Sequence, residues 1–249
     1  MRTCLISTVT NSYVPGLLFF IKTFKLHNPI DRDYVVLEVE PLTLAHKEAI
    51  LSLYPRVTFI PIASADYHYD TLTHTFRHWP YNVFNRFDIF LREEYDRLFF
   101  FDVDLVVKGS LEELFNCTAP FAAAPITKTI DHDVPTPFDA GVMVIGKQFI
   151  TPQVRSELID LSLTKKWSSD EPVLNQYFYP YLTLLDPIYN TLTTHLTLPK
   201  FKQAKIVQYV GERKLWHGAT VASAYDQFVR ETSEHAALTS LLTLYKNCR

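Results

Sequence analysis

Two carboxylates one residue apart, Asp102 and Asp104, follow directly after the run Arg97-Leu98-Phe99-Phe100-Phe101. A run of that composition reads as a buried strand, so it delivers negative charge to a sheet edge, where charge is costly without a partner. A divalent cation is the natural partner, because hard cations take oxygen ligands and also grip phosphate oxygens. An aspartate-rich turn after a strand is the plainer account of the same residues. What decides between them is the set of elements brought to that edge.

Those elements are read from periodicity and breakers. Cys4 to Val9 is a short apolar strand, and Tyr13 to Leu26 has helical spacing that ends at His27-Asn28-Pro29. Asp33 to Val39 is a second strand, Leu42 to Tyr54 a helix stopped at Pro55, and Val57 to Ile60 a third strand. Strand and helix in alternation imply right-handed crossovers and a parallel sheet. Ligands of such sheets sit beyond the carboxyl ends of the strands. Thr8-Val9-Thr10-Asn11 and Asp102-Val103-Asp104 both fall at such ends, so two polar clusters distant in sequence are expected to converge.

Further along, Ala63 to Pro80 reads as a long loop rich in Tyr, His and Thr, and Tyr81 to Arg92 as a helix. Ser110 to Phe115 is a short helix with Ser110 as its cap and Glu113 three residues on. Phe121 to Pro125 and Gly141 to Ile145 read as strands, Gln153 to Leu163 and Asp170 to Phe178 as helices. Lys205 to Val210 is a late strand, and Thr220 to Tyr245 is mostly helical.

Composition bounds the function. With 249 residues, 47% of them hydrophobic and 20% charged, the chain can bury a substantial core. A formal charge of −3 disfavours a nucleic-acid partner. Aromatics at 14% supply either a dense core or stacking surfaces for rings and sugars. Cys4, Cys117 and Cys248 form no metal-ligand spacing and no disulfide framework, which predicts reduced thiols and a cytoplasmic location. No secretory leader is read at the start, and Val14 to Ile21 is too short to span a bilayer. One domain is expected, with a first half over 1–110, a second half over 111–219 and a helical tail over 220–249.

Six segments, in order, resemble the glycogenin-type retaining glycosyltransferases, glycosyltransferase family eight. They are Thr8-Val9-Thr10-Asn11-Ser12-Tyr13, Tyr81-Asn82-Val83-Phe84-Asn85-Arg86, Phe101-Asp102-Val103-Asp104 with Leu111-Glu112-Glu113-Leu114-Phe115, Phe138-Asp139-Ala140-Gly141, Ser168-Ser169-Asp170-Glu171-Pro172-Val173-Leu174-Asn175, and Gln208-Tyr209-Val210-Gly211-Glu212-Arg213-Lys214-Leu215-Trp216. The resemblance covers about Thr3 to Trp216. It implies a GT-A fold, a Rossmann-like, mixed but mostly parallel α/β sheet flanked by helices. It also implies a UDP-sugar donor, Mn2+ or alternatively Mg2+ as cofactor, and a hydroxyl acceptor such as a glycan, and it leaves a homodimer open.

The same resemblance implies roles. Thr8, Thr10 and Asn11 would hydrogen-bond the nucleotide and Tyr13 would stack on its base. Arg86, with Arg77 as second candidate, would meet the nucleotide, since a guanidinium suits phosphate. Asp102 and Asp104 would ligate the metal, with Val103 offering backbone groups to the ribose. Asp139, Ala140, Gly141, Asp170 and Glu171 would face the donor sugar, Asp139 and Asp170 as catalytic groups. Gly211 and Lys214 would bind the nucleotide, Lys214 catalytically by holding the diphosphate as it leaves.

Three positions depart from the pattern: Asp139 replaces Asn, Glu171 replaces Gln, and Gln208 replaces the His expected as third metal ligand. An ionised Asp accepts sugar hydroxyls but donates nothing. A Gln oxygen ligates hard cations but is neutral. These departures keep two alternatives in view, a non-catalytic UDP-sugar-binding protein and a metal-dependent nucleotidyltransferase. The latter is weakened by only six glycines and no Gly-rich phosphate loop.

Overall fold

Apolar residues that alternate between two buried faces build the centre of this fold. The computed structural model describes residues 1–62, 83–126, 138–193, 203–209 and 214. β1 (Thr3–Val9) turns Cys4 and Ile6 to one face and Leu5 and Val9 to the other. Helix α1 (Val14–His27) leads to β2 (Asp33–Glu38), and α2 (Leu44–Leu53), whose first turn is capped by the Thr43 hydroxyl accepting from His46 N, leads to β3 (Val57–Pro61). β4 (Arg97–Phe101) splits its side chains as β1 does, Leu98 and Phe100 opposite Phe99 and Phe101.

After β4 come β5 (Leu105–Val107), the single turn α3 (Glu112–Phe115), β6 (Phe121–Pro125) and β7 (Phe138–Gly146). Helices α4 (Pro152–Leu163) and α5 (Asp170–Phe178) precede the short strands β8 (Leu182–Leu184), β9 (Thr191–Leu192) and β10 (Ile206–Gln208). The main sheet has seven strands in the order β3-β2-β1-β4-β7-β6-β8. All its pairings are parallel except those of β7, which runs antiparallel to β4 and β6. The mixed, mostly parallel sheet expected from the sequence is therefore present. Strands buried on both faces occupy its middle, as α/β packing requires.

Several expectations need correction. The helix read over Tyr81 to Arg92 is a 3₁₀ helix at Val83–Leu91, and Tyr81 and Asn82 lie outside the described residues. Phe84, Phe87 and Phe90 recur every third residue and are all buried, the spacing that a 3₁₀ helix eclipses on one side. β7 starts at Phe138, three residues earlier than read, so Asp139 belongs to a strand rather than to a preceding turn. The helix at Ser110 begins at Glu112, whose N–H donates to Ser110 Oγ at 3.3 Å. The late strand shortens to β10 and leaves the main sheet for a second one, ordered β5-β10-β9. The loop read over Ala63 to Pro80 and the helix over Thr220 to Tyr245 lie outside the described residues. Among the described residues no helix is long and apolar enough to cross a membrane.

Candidate active site

β1 and β4 are parallel neighbours, with Leu5 opposite Phe99 and Ile6 opposite Phe100. Ser7 Oγ donates to the Phe101 carbonyl at 2.6 Å, so the strands stay side by side to their ends and Thr8 stands level with Asp102. Strand pairing thus joins the N-terminal polar cluster to the aspartates. Tyr13 lies half-buried close by, and burial, then the charges of Asp104 and Asp102, push its phenol up to about 12. Thr10 Oγ1 shares a 2.9 Å hydrogen bond with Ser12 Oγ. Asn11 turns away from the aspartates. Its Oδ1 accepts from Thr43 N at 3.1 Å and meets His46 Nδ1 at 2.8 Å, and its Nδ2 donates to Pro41 O at 3.0 Å.

The second sheet brings the far end of the chain to the same place. Gln208 pairs with Leu105, and Tyr209 N donates to Asp104 O at 2.9 Å. That register sets the Gln208 amide over both aspartates, its Nε2 lying 3.0 Å from Asp102 Oδ2 and 3.4 Å from Asp104 Oδ1. Gln208 Oε1 is buried without a hydrogen-bond partner among the described residues. A Cβ at Gly141 would lie 2.5 Å from that oxygen, so the glycine is what makes room for the amide. Lys214 is buried and donates to Asp104 Oδ2 and to Tyr209 O, each at 2.7 Å.

Arg86 ties this cluster to a second one. Its Nη2 reaches Asp102 Oδ1 at 2.9 Å, its Nη1 the Ala140 carbonyl at 3.2 Å, and its Nε Asp170 Oδ2 at 3.0 Å. The last contact is an ion pair without hydrogen-bond alignment, since Asp170 Oδ2 is buried and lacks a hydrogen-bond partner among the described residues. The guanidinium also lies 4.8 Å over the Phe100 ring.

The second cluster is assembled where α5 meets β7. Phe178 stacks 4.0 Å from Phe121 and 5.5 Å from Phe90, which anchors the end of α5. Asn175 pins its middle like a strand neighbour, accepting from Phe138 N at 3.0 Å and donating to Phe138 O at 2.8 Å. The first turn of α5 is thereby held against β7. Asp170 lies there, and Glu171 Oε2 accepts from Ala140 N at 3.2 Å. Asp139 Oδ1 accepts from Gly141 N and from Asn190 Nδ2, both at 2.8 Å. Gly141 O in turn accepts from Asp102 N at 2.9 Å, which links the two clusters through the backbone.

Electrostatics follow from burial. Loss of water raises Asp102, Asp139, Asp170 and Glu171 above the usual carboxylate range, Asp102 to about 7. Arg86 opposes the rise at Asp102 and Asp170, while the neighbouring carboxylates add to it at Asp102. The Gly141 N–H and Asn190 oppose it at Asp139.

The structure brings Thr8, Tyr13, Arg86, Asp102, Asp104, Asp139, Ala140, Gly141, Asp170, Glu171, Gln208 and Lys214 into these two linked clusters, with Val103 buried between the two aspartates. Arg77 and Gly211 lie outside the described residues. Reading the sequence missed Asn190, which no spacing relates to Asp139, and gave Asn175 no role, although its place at the end of the Asp170 segment was the available signal. Among the described residues no three His, Cys, Asp or Glu side chains gather as a metal site. The oxygen set at hand is two carboxylates and an amide.

No curated protein matches the chain. Solved structures match in fold. The bifunctional glycosyltransferase WbbM in its apo form is 22% identical over 96% of this chain and 51% of its own, with a TM-score of 0.69. This chain therefore spans about half the length of WbbM. The galactosyltransferase LgtC, in complex with donor and acceptor sugar analogues, is 18% identical over 91% of this chain and 94% of its own, with a TM-score of 0.70. GlyE of Streptococcus pneumoniae TIGR4 in its apo form is 17% identical over 99% of this chain and 64% of its own, also at 0.70. The family model described as Glycosyl transferase family 8 matches residues 4–220, and the chain belongs to that family of glycosyltransferases.

Proposed function

We propose that this glycosyltransferase moves a hexose or pentose from a UDP-sugar to an acceptor hydroxyl, such as one on a glycan, with retention of anomeric configuration. The observation that carries the reading is convergence: Asp102 Oδ2 and Asp104 Oδ1 close on one point, the Gln208 amide nitrogen, at the strand end beside Thr8. Two anionic oxygens aimed at one point, with a spare buried amide oxygen alongside, suit a hard divalent cation, Mn2+ or Mg2+. Asp102, Asp104 and Gln208 would hold it. When bound, it supplies positive charge against the diphosphate.

The chain's own groups do the rest. Lys214 stands beside Asp104, where an ammonium neutralises a leaving diphosphate. Arg86 holds Asp102 and Asp170 in place. Asp170 polarises the reacting carbon from the first turn of α5, and the acceptor hydroxyl passes its proton to the departing phosphate, so no enzymatic base is needed. Residues 1–110 then carry the nucleotide and 111–219 the donor sugar and acceptor. Cys4 and Cys117 are free thiols, which supports a cytoplasmic setting.

The test is calorimetric titration of UDP with Mn2+ into the protein and into Asp102→Ala/Asp104→Ala. Metal-dependent UDP binding is expected to disappear in the variant, and unchanged affinity would remove the reading. A second reading, non-catalytic UDP-sugar binding, is favoured by the completeness with which Arg86, Gln208 and Lys214 already match the aspartates. Binding of UDP-sugars without UDP release, across a donor panel, would select it.

A further inference from the structure

Three carboxylates, Asp139, Asp170 and Glu171, share the ground between β7 and α5, and the positive charge of Arg86 and Lys214, the cations beside them among the described residues, is engaged. Arg86 contacts Asp102, Asp170 and the Ala140 carbonyl through all three of its nitrogens. Lys214 is bonded to Asp104 and Tyr209. Among the described residues the hydrogen-bond partners of Asp139 and Glu171 are neutral, the backbone N–H groups of Gly141 and Ala140 and the amide of Asn190. These bonds take up Asp139 Oδ1 and Glu171 Oε2, and each carboxyl keeps a second oxygen with no hydrogen bond among the described residues. An ionised carboxylate oxygen accepts and cannot donate.

We propose that the donor's glycosyl group is neutral, a hexosyl or pentosyl unit whose hydroxyls donate to Asp139 and Glu171, and that this acidic wall excludes uronic donors. The inference rests on the UDP-sugar reading above and adds the exclusion of charged sugars. A glucuronyl or galacturonyl unit would bring a further carboxylate against three others in a poorly solvated place, and like-charge juxtaposition of that kind is strongly unfavourable. A neutral hydroxyl in the same position meets acceptors only. Asn190 enters as a positioning residue: its amide and the Gly141 N–H fix Asp139 Oδ1 from two directions, so the direction of the carboxyl is set before any sugar arrives.

The experiment is competitive binding to the full chain in Mn2+. UDP-glucose, UDP-galactose and UDP-xylose are compared with UDP-glucuronate and UDP-galacturonate, and UDP alone is the reference. The best neutral donor is expected to bind at least about tenfold more tightly than the uronate of the same ring stereochemistry. Asp139→Asn/Glu171→Gln should shrink that ratio, while leaving UDP affinity in place. A uronate that binds as well as its neutral counterpart to the unaltered protein overturns the inference and leaves the UDP-sugar reading standing. Failure of UDP itself to bind overturns the reading and the inference together.

Discussion

Asp102 and Asp104 are compensated by full charges and a side-chain amide: Arg86 on the first, Lys214 on the second, the Gln208 nitrogen between them. Asp139 and Glu171, one strand and one helix away, accept hydrogen bonds from neutral donors only among the described residues, with the charge of Arg86 acting on them from a distance. Burial makes Asp102, Asp139 and Glu171 resist ionisation, but only in the first pair can the compensating groups give way to another cation without leaving the acids exposed to each other. On the proposed reading the first pair exchanges cationic partners. On the same reading the second pair has oxygens left to accept from a sugar.

The largest test of this contrast removes the group that joins the two clusters. Arg86→Met leaves Asp102 and Asp170 buried without their cation, and breaking a buried pair from one side costs about 3–5 kcal/mol. Chemical denaturation of the metal-free protein should show a loss of that order, whereas Asp139→Asn, which removes charge but keeps an acceptor, should cost far less. Equal losses would break the contrast.

Next in size is chemistry rather than stability. Asp170→Ala should reduce kcat by about 10²–10³, the range seen when a preorganised electrostatic group is lost, with UDP affinity little changed. Steady-state rates alongside UDP titration separate the two. A loss of UDP affinity equal to the loss of rate would assign Asp170 to binding.

Much of this arrangement was legible before any coordinates. The run Leu98 to Phe101 can only be a central strand, and α5 is bounded as read, because buried strands and helices with an acidic first turn leave local marks. The aspartates and Asp170 were legible for the same reason, standing at the ends of such elements. The position of Gln208 was legible only by resemblance, since it depends on a three-residue strand pairing with Leu105 across about a hundred residues of sequence. Asn190 was invisible: it follows a turn at Pro187–Tyr189, and only the folded path brings it to Asp139. The reversal of β7 was likewise not written locally, because strand direction is set by the connection and not by the residues of the strand.

Protonation offers a finer probe. Burial raises Asp102, Asp139, Asp170 and Glu171, so the folded state holds protons that the unfolded chain releases first as pH rises. More protons bound when folded means stability that is present at low pH and declines as pH climbs from the ordinary carboxylate range toward about 7, the value reached by Asp102. Thermal melting of chelated protein between pH 4.5 and 7.5, roughly spanning that window, should show a falling Tm. Asp102→Asn should flatten the fall. Added Mn2+ with UDP should raise Tm most at the upper end, where Asp102 is ionised. A Tm that rises over the same window would contradict the assignment.

The smallest effect bears on the exchange itself. Gln208 now donates to both aspartates with its nitrogen, while its oxygen sits unpartnered in the space that Gly141 leaves open. To serve a cation the amide must give up those two bonds and offer a neutral oxygen. Gln208→His has less to give up and supplies an imidazole nitrogen, which suits Mn2+ better than an amide does. Manganese affinity, read by loss of the free-ion paramagnetic signal, should therefore increase by about tenfold, roughly one good ligand's difference. A weaker site would mean that Gln208 acts only as a hydrogen-bond donor to the aspartates, so that this one contact of the first pair is fixed and neutral, as the contacts of the second pair are.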